Sequence, residues 1–273
     1  MSIQAKKSLG QNFLKSGTIL DKIINAGNVG RDDPVLEIGP GEGALTEKLL
    51  NSAKKVVAIE KDDRLIKLLQ DKFAENIKNG SFELIHADVL DIDLNTLNLK
   101  TKTYKLIANI PYYITGQIFR KFLSGPIQPS KMVVLVQKEV AQRAVARDGK
   151  ESLLSISIKI YGEPKMMGVV ARGNFNPVPN VDSAILLVDN ISKNFFTDFT
   201  EEVFFKVLKA GFAHKRKQLL GNLKDLIKNG EKVSEILKKC KIDEKIRAED
   251  LKKEDWAKIV LEFTPTPTFK HNL

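Results

Sequence analysis

The sequence predicts an α/β fold followed by a smaller all-α domain, and three observations predict it. Near-continuous apolar stretches of strand length alternate with helical patterns through the first 190 residues. A glycine cluster, Gly39-Pro40-Gly41-Glu42-Gly43, stands between the first such strand and the helix after it. From Phe195 onward the pattern is helical and lysine-rich. Strands covered on both faces read as unbroken apolar runs, so this alternation means a parallel sheet with helices on both sides.

Residues 6–14 read as a loop ahead of an amphipathic helix, with Ile19, Leu20, Ile23, Ile24 and Ala26 at helical spacing. Asp33-Pro34 opens the strand Val35-Leu36-Glu37-Ile38, the glycine cluster closes it, and residues 44–50 read as a helix. A second strand at 56–59 ends on Glu60, a helix covers about 62–74, and a third strand at 82–86 ends just before Asp88. The series continues with a strand at 104–108, a helix over about 114–123, a strand at 132–136 and a helix from about 138. Residues 152–161 are ambiguous. Leu154, Ile156, Ile158 and Ile160 alternate as in a strand, while their setting asks for a crossover helix; periodicity alone says strand. Residues 165–172 and 184–189 read as two further strands around the Pro-rich link Asn174-Phe175-Asn176-Pro177-Val178-Pro179, a hairpin-like pair at one sheet edge. The C-terminal helices are expected to break at Gly221 and Gly230, and Thr264-Pro265-Thr266-Pro267 to end as a disordered tail. A boundary near residue 190 divides the chain into expected domains 1–190 and 191–273.

With 273 residues, 42% of them hydrophobic and 29% charged, the composition is that of an ordinary soluble globular protein. No apolar run approaches the roughly 20 residues that span a bilayer, and the first residues lack a signal-peptide core. The single cysteine, Cys240, lies in a Lys-rich helical pattern and suits a reducing cytoplasm, with packing as its role. Lys and Arg outnumber Asp and Glu by 44 to 34, giving +10 and a pI near 9.4, which favours a polyanionic partner.

Chemistry concentrates at strand ends. A glycine loop between strand and helix lets the backbone approach a ligand at the helix N-terminus. Glu60 follows Gly39 by 21 residues and ends the next strand, where a carboxylate can accept both hydroxyls of a ribose. Glu37, the position of Asp88 for accepting an adenine amino group, and the lack of a residue pair suited to hydride transfer tilt this pattern from a nicotinamide cofactor toward a methyl donor. Acids at strand ends that merely face solvent are the plainer alternative. Asn109-Ile110-Pro111-Tyr112 closes the fourth strand. An exocyclic amine of a nucleobase is a poor nucleophile because its lone pair is delocalised into the ring. An Asn side-chain oxygen and a nearby carbonyl can each accept one N–H bond and draw it out of plane. Pro111 biases Ile110 toward an extended backbone, and Tyr112 offers a ring for stacking. An Asn-x-Pro turn with a packed tyrosine is the alternative reading of those four residues.

Four ordered motifs resemble those of the ribosomal RNA adenine N6-dimethyltransferases of the KsgA type. They are Lys7-Ser8-Leu9-Gly10-Gln11-Asn12-Phe13-Leu14, Glu37-Ile38-Gly39-Pro40-Gly41-Glu42-Gly43, Asn109-Ile110-Pro111-Tyr112 and Phe175-Asn176-Pro177-Val178-Pro179-Asn180-Val181-Asp182-Ser183. Phe212-Ala213-His214-Lys215-Arg216-Lys217-Gln218-Leu219-Leu220 is similar to the family's basic helix. The resemblance implies a Rossmann-like S-adenosylmethionine-dependent methyltransferase sheet and a helix, against periodicity, at 152–161. It implies donor contacts at Asn12, Leu14, Gly39, Gly41, Glu60, Asp88 and Asn109. It also implies a target-base pocket in which Phe175 faces Tyr112. Ile110 departs from the family's usual Leu, and the loop Arg147-Asp148-Gly149-Lys150-Glu151 departs from its usual Pro-Gly turn.

The expected function is dimethylation of N6 of two adjacent adenosines in a hairpin loop near the 3′ end of small-subunit ribosomal RNA, within a pre-assembled particle. Asn109, Ile110, Pro111, Tyr112 and Phe175 would be its catalytic residues, in a cytoplasmic, monomeric enzyme without a metal. Lys215, Arg216 and Lys217 are the favoured phosphate contacts, ahead of Lys6, Lys7, Lys15, Arg143, Arg147 and His214. His86 and His214 are not expected to act as bases, since methyl transfer to an amine needs none before attack. A large-subunit adenine methyltransferase of the macrolide-resistance type and a non-catalytic ribosome-assembly factor are the alternatives, with a nicotinamide oxidoreductase a distant third.

Overall fold

The computed structural model describes residues 5–6, 9–97 and 99–263. Lys7, expected to contact phosphate, and the expected disordered tail at 264–267 lie outside them. The chain divides into two compact units. One is formed by the chain up to Val145 together with Tyr161–Ser192; the other is formed by Ala146–Ile160 and the chain from Lys193.

The first unit is built on a seven-stranded sheet. Ahead of it come the two-residue strand β1 (Phe13–Leu14) and helix α1 (Gly17–Gly27), which buries Ile19, Leu20, Ile23 and Ile24. Strand β2 (Pro34–Ile38) leads through the glycine cluster to α2 (Ala44–Ser52), then β3 (Lys55–Glu60) to α3 (Asp63–Lys72) and the short α4 (Ala74–Lys78). Next are β4 (Phe82–His86), β5 (Lys105–Asn109), α5 (Thr115–Ser124), β6 (Lys131–Gln137) and α6 (Lys138–Val145). The strand order is β4-β3-β2-β5-β6, all parallel, so the chain reverses its direction of travel across the sheet between β2 and β5. Open α/β sheets bind ligands outside the carboxyl ends of the strands at such a switch point. Every residue of Val35-Leu36-Glu37-Ile38 is buried, and so are Val56, Val57, Ala58 and Ile59, because helices cover both faces.

After α6 the chain contributes α7 (Leu153–Lys159) to the second unit and returns as β7 (Glu163–Val170), the two-residue β8 (Phe175–Asn176) and β9 (Ser183–Asp189). β9 runs antiparallel to both β6 and β7, so the hairpin-like pair forms one edge of the sheet. Within residues 152–161 the chain is helical over Leu153–Lys159, as the family resemblance implied and periodicity did not. Ser152 explains it: its hydroxyl accepts the Ser155 N–H at 3.1 Å while the Ser155 hydroxyl accepts the Ser152 N–H at 2.7 Å. This reciprocal cap satisfies two donors at the helix start and outweighs the alternating isoleucines.

The second unit packs α7 with α8 (Glu201–Gly211), α9 (Leu219–Ile227), α10 (Gly230–Lys239) and α11 (Lys253–Phe263). Trp256, Phe204, Leu208, Leu223, Val233 and Ile259 form its dry centre. Gly211 is glycine because a Cβ there would meet the Trp256 ring at 2.2 Å. The expected break at Gly221 does not occur. It lies inside α9 with open space where a Cβ would be, and the chain turns instead over residues 212–218.

Candidate active site

A cavity of about 380 Å³ opens at the carboxyl ends of β2, β3 and β5, within the first unit. Its size falls in the usual range of small-molecule sites, roughly 300–1,000 Å³. Asn12, Gly39, Gly41, Glu60, Asp88, Asn109, Ile110, Pro111 and Tyr112 all line it, as expected from the sequence. The glycine loop reaches the cavity because Gly39, Gly41 and Gly43 have φ of 68°, 59° and 79°. Side chains would also not fit: a Cβ at Gly43 would lie 2.6 Å from the Phe73 ring, and one at Gly41 would lie 2.9 Å from Phe13.

Two acids line the cavity. Glu60 ends β3 and is 6% exposed; its Oε1 accepts the N–H groups of Lys61 and Asp62 at 2.9 and 2.8 Å, and its Oε2 accepts that of Gly41 at 3.2 Å. Burial raises its pKa, though these three N–H bonds favour the anion. The last bond also ties the glycine loop to β3. Asp88 follows β4; its Oδ1 accepts the Leu90 N–H at 2.9 Å and its Oδ2 pairs with the Lys61 ammonium at 2.5 Å. Burial works to raise its pKa, but the Lys61 ammonium and the Leu90 N–H outweigh it and hold Asp88 below the usual carboxylate range.

The tetrapeptide stands across the same cavity. Asn109 Nδ2 donates to the Asn12 carbonyl at 3.1 Å, which leaves Asn109 Oδ1 without a bond to any described residue. Pro111, with φ −56° and ψ 134°, turns the chain out of β5 into the single turn Tyr112–Ile114. Ile110 is 2% exposed and lines the cavity beside Asn109 and Pro111. Tyr112 is half-buried, and its hydroxyl lies 2.7 Å from Ser183 Oγ. Burial raises the Tyr112 pKa, so the phenol stays protonated at neutral pH.

Two expected contacts fall elsewhere. Phe175 does not line the cavity with Tyr112: it is 4% exposed and belongs to the hydrophobic core. The pairing of β8 with β1 sets Phe175 opposite Leu14 and turns both side chains inward. Leu14, 7% exposed, borders not the main cavity but a recess of about 40 Å³ beneath the glycine loop, together with Glu37. Lys215, Arg216 and Lys217 are exposed in the second unit, in the turn between α8 and α9. Asn222 pins this turn from beneath, donating to the carbonyls of Gly211 at 2.6 Å and His214 at 3.2 Å. Of the other cations, Lys6 is committed to Asp62 at 3.5 Å, while Arg143 and Arg147 are exposed.

Sequence reasoning passed over three contributors. Gly10 has φ 61°, and a Cβ there would lie 3.3 Å from both Pro111 and Tyr113, so glycine lets the N-terminal segment lie against the tetrapeptide. Gln11 donates to Asp62 at 2.8 Å, and Ser183 holds Tyr112. Gln11 and Ser183 both sat inside motifs already singled out; only their partners were hidden.

The chain matches the model of the family described as ribosomal RNA adenine dimethylase over residues 2–264. It is 42% identical over 267 residues to the ribosomal RNA small subunit methyltransferase A of Dehalococcoides mccartyi (strain CBDB1), covering 97% of this chain and 91% of that protein. It is 40% identical over 258 residues to the protein of the same name from Fusobacterium nucleatum subsp. nucleatum, covering 92% and 94%. Among solved structures it resembles a dimethyladenosine transferase from Plasmodium falciparum, with TM-score 0.78, 30% identity and coverage of 92% and 97%. The 23S rRNA methyltransferase ErmE superposes with TM-score 0.72 at 25% identity, covering 92% and 99%. A Rossmann-like sheet, a cavity at its switch point, two acids facing an Asn-Ile-Pro-Tyr turn, and this match across nearly the whole length agree: the chain belongs to the ribosomal RNA adenine dimethylase family.

Proposed function

We propose that this protein transfers methyl groups to N6 of two adjacent adenosines in a hairpin loop near the 3′ end of small-subunit ribosomal RNA. The substrate would be RNA within a pre-assembled particle, and the work that of a cytoplasmic monomer in small-subunit biogenesis. One observation carries the reading: Glu60 and Asp88 line the same cavity as Asn109 and Tyr112, so acceptors suited to a nucleoside donor stand beside acceptors suited to a nucleobase amine. The curated relatives named above are small-subunit enzymes by name, which favours that subunit over the large one.

The site fits S-adenosylmethionine, the methyl donor of this class of enzyme. Glu60 would accept ribose hydroxyls, Asp88 an adenine amino group, and the glycine loop leaves room for the backbone to approach, since a Cβ on Gly39 would find its nearest neighbour only at the Asn109 carbonyl, 3.7 Å away. Bound there, it supplies a methyl group activated by a sulfonium. The chain's own residues then do the positioning. Asn109 Oδ1 and the Ile110 carbonyl accept the two N–H bonds of the target amine and draw its lone pair out of the ring plane. The Tyr112 ring stacks on the extruded base, an interaction of roughly 1–3 kcal/mol. Orientation of two bound reactants supplies up to about 7–11 kcal/mol of barrier reduction. No general base is needed before attack, because the methylated amine is cationic and loses its proton to solvent.

In the second unit, Lys215, Arg216 and Lys217 would contact RNA phosphates, reading shape rather than base sequence. The test is transfer of labelled methyl groups to undermethylated small subunits, with nucleoside analysis by mass spectrometry. The expected product is dimethyladenosine at two adjacent positions. No incorporation there, combined with activity on naked large-subunit RNA, overturns the assignment in favour of the reading that the likeness to ErmE represents.

A further inference from the structure

We propose that Asp62 is a positioning residue of the donor site, which holds the N-terminal segment shut over the cavity through Gln11 while setting the Glu60 carboxylate. The inference rests on the reading of the cavity as a site for S-adenosylmethionine. Asp62 stands just before α3, whose helix start it caps, and a cap is all its position demands. Yet the capping bond, from Arg64 N–H to Oδ1, is its longest at 3.3 Å. The short bonds go elsewhere. Oδ2 accepts from Gln11 Nε2 at 2.8 Å, across 51 residues of sequence, and from Arg64 Nη2 at 2.6 Å; Oδ1 accepts from Arg64 Nε at 2.9 Å. The Asp62 N–H donates to Glu60 Oε1 at 2.8 Å.

Gln11 is held at both ends of its amide, because Oε1 accepts the Lys6 N–H at 2.7 Å while Nε2 reaches Asp62. Gly10, Gln11 and Asn12 all line the cavity. Asn12 in turn gives its carbonyl to Asn109, so the segment is latched to the acidic side at Gln11 and to the tetrapeptide at Asn12. Opening of the Gln11 latch would free that segment from the acidic side of the cavity. The Asp62 side chain is 0% exposed, and a hydrogen bond to a buried carboxylate is among the stronger ones a neutral amide makes. The paired Arg64 guanidinium, above all, holds Asp62 well below the usual carboxylate range despite burial, so the latch keeps its charge across the physiological range.

The experiment compares the full chain with Gln11→Met and Gln11→Glu, which leave the cap, the Arg64 pair and the Glu60 bond in place. Two quantities are read: the dissociation rate of S-adenosylhomocysteine, and amide hydrogen exchange over residues 9–14 in the ligand-free protein. Gln11→Met is expected to speed dissociation roughly tenfold, the effect of losing one hydrogen bond to a charged group, and to speed exchange of the segment by a similar factor. Gln11→Glu sets a second carboxylate against Asp62 and is expected to exceed it. Asp62→Ser, which keeps a capping hydroxyl, should match or exceed Gln11→Met. Unchanged dissociation and exchange in both Gln11 variants overturn the proposal and leave Asp62 a cap. A parent protein that fails to bind S-adenosylhomocysteine overturns the reading of the cavity instead, so the two failures are told apart.

Discussion

Tyr112 and Ser183 share a hydrogen bond of 2.7 Å between hydroxyls, and it joins two segments 71 residues apart. Ser183 is fully buried at the start of β9, where it is paired by backbone to both β6 and β7, so it is a fixed point. The Tyr112 ring, which lines the cavity, is therefore anchored at its far end. Tyr112→Phe and Ser183→Ala each remove this one bond and are expected to slow single-turnover methyl transfer by less than about tenfold. Their double variant should be no slower than the worse single one. Tyr112→Ala removes the ring as well and should cost roughly 5- to 150-fold. Additive effects in the double variant would show that the hydroxyl pair is not the link.

Asn109 donates through Nδ2 to Asn12, and in the proposed mechanism its Oδ1 accepts the target amine. Asn109→Ala is expected to lower kcat about 10²- to 10³-fold, the usual effect of deleting one polar group aimed at a transition state. Affinity for RNA, read by a filter or fluorescence assay, should stay within about twofold, because none of the proposed phosphate contacts is touched. Retained ribosome assembly in cells carrying the variant would show a structural role for the protein besides catalysis. Retained methyl transfer would remove Asn109 from the mechanism.

How much of this was legible beforehand follows from the range of each interaction. Strands β2, β3, β5 and β6 were readable because a parallel strand buried on both faces is apolar at nearly every position, and the glycine loop because positive φ favours glycine. Residues 152–161 misled by periodicity because two serines start a helix more firmly than four alternating apolar residues specify a strand. Gly221 misled because glycine on an open helix face costs only about 1 kcal/mol. Phe175 lay in a motif, but which way its ring points is decided by the pairing of β8 with β1, and local spacing does not carry that. The partner of Gln11 is 51 residues away and that of Tyr112 is 71, so neither bond leaves a trace in either motif.

The exposed turn carrying Lys215, Arg216 and Lys217 has its shape set by Asn222, which is 2% exposed. Replacing the three cations by Ala should leave the thermal midpoint unchanged within about 2 °C, since none is buried. Plotted as log affinity against log salt, RNA binding should lose up to about 2 to 3 units of slope, at roughly 0.7 to 0.9 per phosphate contact. An unchanged slope would place the RNA contacts elsewhere.

Glu37 yields a prediction about pH. It is 1% exposed, and among the described residues its Oε2 has no hydrogen-bond partner. Burial, reinforced by the charge of Glu60, pushes its pKa up to about 8, against which the Thr46 hydroxyl works only in part. The folded protein therefore keeps this proton up to about pH 8, whereas the unfolded chain releases it near 4.5. Between those values the folded state binds the extra proton, so this group's contribution to stability falls as pH rises, and it levels off above about pH 8. Glu37→Gln removes the titration at nearly constant shape, and its amide can donate to Thr46 Oγ1. Relative to the parent, the variant should gain on the order of a few kcal/mol between pH 5 and pH 8. In thermal unfolding this is a midpoint difference that widens by at least about 5 °C over that interval. Parallel curves for the two proteins from pH 5 to pH 8 would mean that Glu37 is ionised in the folded state throughout that interval.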